Sequence, residues 1–263
     1  MSEELTRIDD FTDFYAKRED SFCLDKRSAN GAKVRQYLAM IAQSNPRAAL
    51  AVGCGRFSAM QIYVAELAHE LQRDAYIVVP HAATRSDATN YCINAGARVI
   101  EVSPGYPSYC RASLRKFAEQ NEIEIVKWNT QHACDDTAAQ VANLPESIKR
   151  VIVPTGSALT AAGVAIGLAR AHRKIMTLCV SVSQMVRTKD QVLKLCKKYA
   201  PTVEIDEERI EVVNHRMNYR HALRDVRLPD GTLLDPYYAA KAYGACCKGD
   251  CLWVVGRRPL ALC

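Results

Sequence analysis

The sequence lacks any apolar run long enough to cross a membrane as a helix. Its first residues, Met1-Ser-Glu-Glu, are acidic, and no apolar stretch of the kind found in export signals follows them. The six histidines include no i, i+4 pair of the kind that binds a metal on one helix face, so no metal is predicted. These absences predict a cytoplasmic protein that makes no membrane contact.

Disulfides persist mainly in exported proteins, so we expect the eleven cysteines to be reduced. Most of them lie in apolar segments, where a thiol behaves as a small hydrophobic group. The one cluster, Cys246-Cys-Lys-Gly-Asp-Cys251, has no second ligand pair at zinc spacing and is interpreted as a loop.

Charge is nearly balanced, with 35 basic and 29 acidic residues and a net charge of +6. Such an excess suits an anionic cofactor or substrate and permits contact with nucleic acid, but it requires neither. With 263 residues, of which 49% are hydrophobic, the chain can form a substantial core in one or two domains.

Strand and helix patterns alternate along the chain, which predicts an α/β fold with mainly parallel sheets. The predicted strands are Ala48–Val52, Ala75–Val79, Arg98–Val102, Glu122–Val126 and three later ones at Val151, Met176 and Leu252–Val255. The predicted helices between the early strands are Ser58–Gln72, Ser86–Ala95 and Tyr109–Gln120. The run Glu204–Asp225 is polar, and its apolar residues are too sparse to assign an element.

The most informative segment is Arg150-Val-Ile-Val-Pro-Thr-Gly-Ser-Ala-Leu-Thr-Ala-Ala-Gly163, which predicts a strand, a turn of small residues and the start of a helix. The first N–H groups of a helix are unpaired, and the helix dipole favours negative charge there. Hydroxyl groups add further donors. We therefore predict that a phosphate is bound by Gly156, Ser157, Ala158, Leu159 and Thr160.

Two common phosphate-binding motifs are missing around this turn. No Gly-Lys-Ser/Thr follows it, which argues against a nucleoside-triphosphate loop. The next predicted strand, Ile175-Met-Thr-Leu-Cys-Val-Ser-Val182, does not end in an acidic residue, which argues against dinucleotide binding. A phosphorylated cofactor held by backbone amides fits the turn better.

Three further segments accompany the turn: Tyr15-Ala-Lys-Arg-Glu-Asp20, Asn30-Gly-Ala-Lys-Val-Arg35 and Leu234-Asp-Pro-Tyr-Tyr-Ala-Ala-Lys-Ala242. In this order, the four segments resemble the fold-type II pyridoxal-phosphate enzymes. The most similar branch contains aminocyclopropane-carboxylate deaminase and D-cysteine desulfhydrase. Those enzymes carry a KR(D/E)D segment, a G-x-K-x-R segment, a GS-x-x-T turn and a late LDP-x-Y-x-x-K segment.

The resemblance implies a tryptophan synthase β-like fold of two α/β domains with pyridoxal 5'-phosphate between them. Residues 1–44 and 129–263 would form the larger, cofactor-binding domain, and residues 45–128 a smaller inserted domain. The chain is short for the family, so some peripheral elements must be missing. A homodimer is a further expectation, because enzymes of this family are commonly dimers.

Lys33 opens a helical pattern in which Val34, Tyr37, Leu38 and Ile41 share one face. A lysine in the first turn of a helix is electrostatically disfavoured. The resemblance gives it a purpose, because Lys33 matches the lysine that forms a Schiff base with the cofactor, for which a neutral, desolvated amine is needed. The alternative is a solvated surface lysine.

The loop Gly53-Cys-Gly-Arg-Phe-Ser-Ala-Met60 stands where the family has a Gln-Ser-Asn-His type of turn, which contacts the substrate carboxylate and the cofactor ring hydroxyl. Ser58 matches that turn and is a candidate catalytic residue, whereas Ala59 and Met60 replace Asn and His. Arg56 is either a carboxylate or phosphate clamp or a solvated loop residue.

Two late positions complete the comparison with the family. Tyr238 matches the tyrosine of the LDP-x-Y segment and would act as a proton-relay phenol, although the adjacent Tyr237 allows a different register. Gly256 stands where the family places a threonine or an acid beside the pyridine nitrogen, so the resemblance names no such partner here.

These residues predict a pyridoxal-phosphate enzyme that breaks a Cα bond of an amino acid, by decarboxylation or by elimination with deamination. One specific hypothesis is an aminoacyl-nucleotide substrate: short relatives act in bacteriophage pathways, within the host cytoplasm, on an amino acid attached to thymine in DNA. The basic residues Arg216, Arg220, Arg224, Arg227, Arg257 and Arg258 suit such a partner. A deaminase or desulfhydrase of a free small amino acid fits equally well.

Two other classes remain open from the sequence. Val52-Gly-Cys-Gly-Arg56 is similar to the glycine-rich motif of S-adenosylmethionine methyltransferases, although no carboxylate ends the next strand at Ile77-Val-Val-Pro-His81. A catalytically silent protein that keeps the fold as a binding module is the second, because the substrate loop and the pyridine partner depart from the family.

Overall fold

The computed structural model of this chain describes residues 4–23, 28–42, 44–105, 107–121, 123–125, 130–182, 188–214, 221–259 and 262. The strands are β1 (Ile8–Asp10), β2 (Tyr15–Arg18), β3 (Ala49–Gly53), β4 (Ala75–Pro80), β5 (Arg98–Val102), β6 (Ile123–Ile125), β7 (Arg150–Thr155), β8 (Met176–Ser181), β9 (Ile210–Asn214) and β10 (Asp250–Val254). The helices are α1 (Ala32–Ile41), α2 (Met60–Glu70), α3 (Asp87–Asn94), α4 (Pro107–Asn121), α5 (Gln131–Ala139), α6 (Leu159–Arg170), α7 (Lys189–Tyr199) and α8 (Ala239–Tyr243).

The larger sheet has the strand order β1-β2-β10-β7-β8-β9. β1 is antiparallel to β2, and the other neighbours in this sheet are parallel. The smaller sheet has the order β5-β4-β3-β6, and its strands are parallel throughout. The predicted α/β class with mainly parallel sheets is therefore confirmed.

The strands of the smaller sheet come from one continuous stretch between residues 49 and 125, whereas the larger sheet takes strands from both sides of that stretch. The predicted inserted domain of residues 45–128 contains this stretch. The boundary itself stays a prediction, because residues 126–129 lie outside the described part of the chain.

The centre of the larger sheet is buried on both faces, as expected for parallel strands covered by helices. Alternate residues of β7 face opposite sides. Val151 and Val153 belong to the core formed with α5 and α6, while Ile152 belongs to the core on the other face, which includes Leu234 and residues of α8. Small residues in α6 let α5 approach closely, so this helix is buried along most of its length.

Differences from the sequence predictions concern boundaries and weakly patterned segments. The second helix begins at Met60 rather than Ser58, because residues 55–58 form a turn closed by a hydrogen bond from the Ser58 amide to the Gly55 carbonyl. The unassigned polar run contains the strand β9, which pairs with β8 and lies at the sheet edge.

Two results bear on the expected cellular setting. Among the described residues, no helix combines the length and the apolar character that a membrane span requires. The ten cysteines within those residues form no disulfide, and seven of them are buried.

Candidate active site

The predicted phosphate turn lies directly after β7, at the carboxyl edge of the larger sheet, where open α/β sheets place their ligand sites. Ala158 precedes α6 with a left-handed backbone, φ 67°. Within the described residues, the amides of Leu159 and Thr160 and the hydroxyls of Ser157 and Thr160 have no hydrogen-bond partner. The turn therefore presents unpaired donors at a helix N-terminus, which is an anion-binding arrangement.

Tyr238 lies against this turn. A Cβ atom at Gly156 would stand 3.0 Å from Cε1 and 3.4 Å from the hydroxyl oxygen of Tyr238, so the phenol packs on the glycine backbone. The neighbouring Tyr237 packs instead under the guanidinium of Arg258, 4.0 Å from its ring centroid. Of the two adjacent tyrosines, Tyr238 is therefore the one that reaches the turn, as the family register predicts.

Lys33 is the second residue of α1. Its side chain is partly accessible, yet the amine has no hydrogen bond or ion pair with any described residue. Burial lowers the pKa of this amine from 10.5 to about 8, because a charged ammonium is poorly solvated there. Lys33 is therefore only partly solvated, and burial favours the neutral form of its amine.

A buried charge network fixes the helix that carries Lys33. Arg35 donates from Nη2 to Glu19 Oε2 and to Asp136 Oδ2, each at 2.8 Å, and from Nε to Asp136 Oδ1 at 2.9 Å. Glu19 also accepts from the Thr6 hydroxyl at 2.9 Å. Burial raises the pKa of Glu19, and the Arg35 guanidinium opposes that effect. Two of the sequence segments that carry the family resemblance are thus in direct contact.

The other charged residues of the same segment are paired inside the protein. Lys17 donates to the Thr6 carbonyl and to Asn143 Oδ1, at 2.8 and 2.7 Å. Arg18 forms ion pairs with Asp9, Asp20 and Asp230. These partners compensate the buried charges of Lys17 and Arg18, so both residues of the segment Tyr15–Asp20 have a structural role.

The chain segment before Lys33 crosses the segment after β10 at two glycines. Gly31 has φ 109° and Gly256 has φ 122°, values that favour glycine. A Cβ on Gly256 would collide with the Asn30 carbonyl, and one on Gly31 with the Val255 carbonyl. Gly256 is therefore explained by this close crossing, which brings the start of α1 beside the end of β10, the strand next to β7.

The loop between β3 and α2 belongs to the smaller sheet. The Arg56 carbonyl accepts from Gln61 Nε2 at 2.8 Å and from the Ser86 hydroxyl at 2.5 Å, which fixes the loop backbone. The Arg56 guanidinium lies 4.7 Å from the Phe57 ring, and its Nε is buried without a partner among the described residues. The Ser58 hydroxyl accepts the Met60 amide at 3.3 Å.

The glycine at the start of this loop has a packing role. A Cβ at Gly53 would stand 2.7 Å from the backbone oxygen of Cys110, so α4 packs directly on β3 at this point. Gly53 belongs to the stretch that is similar to a methyltransferase motif, and its close contact with α4 explains it without a ligand. The described end of β4 also brings no carboxylate to the loop, and the methyltransferase interpretation gains no support.

Solved structures resemble the whole chain. An ACC deaminase homologue superposes with a TM-score of 0.74 and 18% identity, over 92% of this chain and 84% of that one. An O-acetylserine dependent cystathionine beta-synthase from Helicobacter pylori gives 0.66 and 16%, over 98% and 94% of the two chains. The chain has the fold of the fold-type II pyridoxal-phosphate enzymes. The processed form of threonine deaminase isoform 2 from Solanum lycopersicum gives 0.62 and 15%, over 93% and 79%.

At these identities the likeness establishes the fold. No protein-family model matches the chain, and no curated protein sequence matches it either. The site residues therefore rest on their geometry in this chain.

Sequence reasoning missed the pair formed by Asp235 and Arg258. Arg258 is one of the basic residues that the sequence makes candidates for contact with DNA, but only 3% of it is exposed and it forms an ion pair with Asp235. Arg224 and Arg227 are exposed as expected, while Arg216 and Arg220 lie outside the described residues. The only available signal was the position of Arg258 just after a buried strand, which does not reveal its partner.

Proposed function

We propose that this chain is a pyridoxal 5'-phosphate enzyme that breaks a Cα bond of an amino-acid substrate. The observation that carries the proposal is the Lys33 amine, which has no partner among the described residues and a pKa of about 8, at the same sheet edge as a turn with unpaired amides at Leu159 and Thr160. A solvated lysine or a packing turn would not need both features. The fold shared with pyridoxal-phosphate enzymes supports the same assignment.

The residues present fit the cofactor. The turn from Gly156 to Thr160 would hold its phosphate through backbone amides and two hydroxyls, and Lys33 would hold it covalently. When bound, the cofactor supplies a conjugated ring that stabilises negative charge at the substrate Cα. The chain itself must then bind the substrate, orient it and move protons.

Lys33 and Tyr238 are the candidate proton carriers. With a pKa of about 8, a substantial share of Lys33 is neutral near physiological pH and can accept a proton at Nζ. The Tyr238 phenol, packed on Gly156, can donate or accept one beside the turn. Ser58 and Arg56 come from the opposite sheet, and Arg56 offers a guanidinium for a substrate carboxylate.

For the substrate, we favour a free amino acid that undergoes elimination with deamination or decarboxylation. One of the basic residues that suit an aminoacyl-DNA substrate, Arg258, is buried in an ion pair and does not contribute to a cationic surface. The two candidates differ in their salt response. Turnover of a DNA-attached amino acid should fall steeply as salt rises, whereas turnover of a free amino acid should change little. A homodimer and a cytoplasmic location remain part of the proposal.

The test is the visible absorbance of the purified protein with and without pyridoxal phosphate, beside Lys33→Ala. We expect a band that borohydride fixes, and a reduced product that mass spectrometry locates on the peptide containing Lys33. Lys17 and Lys241 are internal controls, because both are buried lysines with a lowered pKa. Labelling of either control, or a band that persists in Lys33→Ala, would contradict the assignment. Absence of any band would refute the cofactor.

A further inference from the structure

Arg258 contacts two separate parts of the chain, the segment with Asp235 and Tyr237 and the loop with Phe57. Its Nε and backbone amide both lie 3.3 Å from Asp235 Oδ2, and its guanidinium stacks on Tyr237 at 4.0 Å. Its Nη2 donates to the Phe57 carbonyl at 3.0 Å, across 201 residues of sequence. Arg258 therefore ties the loop of the smaller sheet to the larger sheet.

Asp235 carries this connection on to the candidate proton carrier. Its Oδ1 accepts the amide of Tyr237 at 2.9 Å and the amide of Tyr238 at 3.1 Å. The carboxylate thus sets the backbone from which the Tyr238 ring extends to Gly156. Both carboxylate oxygens are used, one by the turn before α8 and the other by Arg258.

Arg257, the neighbour of Arg258, contacts Asn30 in the segment that precedes Lys33. The Arg257 amide donates to Asn30 Oδ1 at 2.7 Å, and the Asn30 amide donates to the Arg257 carbonyl at 3.0 Å. Arg257 and Arg258 therefore contact the segments that carry Lys33, Tyr238 and Ser58, although neither arginine is itself a member of the predicted site.

We propose that Arg258 and Asp235 are positioning residues that hold the loop from Gly53 to Met60 against the Tyr238 segment. A buried ion pair is weak evidence for stability, because well-packed apolar residues often serve equally well. Its value here is its fixed geometry: Asp235 accepts the amides of Tyr237, Tyr238 and Arg258, and the Arg258 guanidinium donates to the Phe57 carbonyl. This inference rests on the proposed function for its catalytic consequence only, since the contacts belong to the chain without ligand.

The test is the double variant Arg258→Met with Asp235→Asn. Asparagine still accepts the Tyr237 and Tyr238 amides, and neither member of the Asp235–Arg258 pair stays charged without the other, so the loss of stability is smaller than for either single variant. We expect amide hydrogen exchange in residues 53–60 to become about tenfold faster or more, while exchange in α1 is unchanged. Cofactor attachment at Lys33 should persist. Turnover should fall about 100-fold, as expected for a misplaced catalytic group.

A matched control exists at another place in the fold. Arg209 Nε lies 2.8 Å from Asp206 Oδ2, its Nη1 donates to the Lys174 carbonyl at 2.9 Å, and Asp206 Oδ1 accepts the Glu208 amide at 3.1 Å. The contacts repeat those of Arg258 and Asp235, but the side chains are 38% and 53% exposed. Arg209→Met with Asp206→Asn should change neither loop exchange nor turnover.

The outcomes separate the two proposals. Unchanged exchange in residues 53–60, with turnover within about twofold of the wild type, would overturn the positioning role. Failure of the wild-type protein to attach the cofactor would refute the proposed function, and the exchange comparison would still decide the positioning role. If the double variant does not fold, Arg258→Lys replaces it under the same criteria, because lysine keeps the charge but loses the planar guanidinium that reaches Phe57.

Discussion

The two sides of the candidate site differ in how far they keep the pattern of the family. On the larger sheet, the turn after β7, Lys33 and Tyr238 all match the family pattern: Tyr238 packs on the turn, and the helix of Lys33 starts beside the end of β10, the strand next to β7. On the smaller sheet, the loop after β3 keeps only Ser58. Ala59 and Met60 are buried, and the Met60 sulfur accepts the Tyr37 hydroxyl at 2.8 Å, so it packs inside the core.

The difference has a physical reason. Backbone amides and a helix dipole would hold the phosphate of the proposed cofactor, and its covalent attachment would need one desolvated amine, so a shared cofactor would fix these features. The substrate side depends on side chains that change with the substrate. The comparison therefore predicts a shared cofactor and a substrate different from those of enzymes that keep the Asn-His turn.

The largest expected effect concerns the charges beneath Lys33. Arg35→Met would leave Glu19 and Asp136 buried without their partner, which should destabilise the protein by about 3–5 kcal/mol. The measurement is the urea unfolding free energy. Arg170→Met is the control, because its ion pair with Asp135 is 46% and 41% exposed and should contribute at most about 1 kcal/mol. Equal losses in the two variants would show that the network does not support α1.

A smaller effect would separate the two sides directly. Thr160→Val removes a hydroxyl predicted to bind the phosphate, so cofactor affinity should fall by about 1.5–3 kcal/mol, roughly 10- to 150-fold. The Michaelis constant for the amino-acid substrate, measured with saturating cofactor, should stay nearly unchanged. Arg56→Met should instead raise this Michaelis constant and leave cofactor affinity unchanged. Spectrophotometric titration and steady-state kinetics check both, and equal effects of the two variants on cofactor affinity would remove the proposed division.

The smallest effect is the pH dependence of cofactor attachment. Attachment requires the neutral Lys33 amine, and burial lowers its pKa to about 8. The attachment rate should therefore rise about tenfold per pH unit below pH 8 and level off above pH 8, because the neutral fraction of the amine follows its pKa. An ordinary lysine, with a pKa of 10.5, would keep rising through pH 9. Stopped-flow absorbance between pH 6 and 9 distinguishes the two, and a continued rise would show that Lys33 is not perturbed.

Much of the fold was predictable because its signals are local. Apolar runs bounded by turns located β3, β4, β5, β7, β8 and β10 to within two residues. The phosphate turn was visible as small residues between a strand and a helix. β9 was missed, because its short stretch Ile210-Glu-Val-Val-Asn214 stands within a long polar run and is only partly buried at the sheet edge.

The sequence by itself determined the α/β alternation, the turn from Gly156 to Thr160 and Lys33 at the start of a helix, because each depends on neighbouring residues. The tertiary structure alone decided which polar groups meet. Arg35 pairs with Glu19 and Asp136, and Arg258 pairs with Asp235 and donates to the Phe57 carbonyl. Those partners lie between 16 and 201 residues apart. Contacts at such distances leave no periodic trace in the sequence, since they depend on how the strands are ordered in the two sheets.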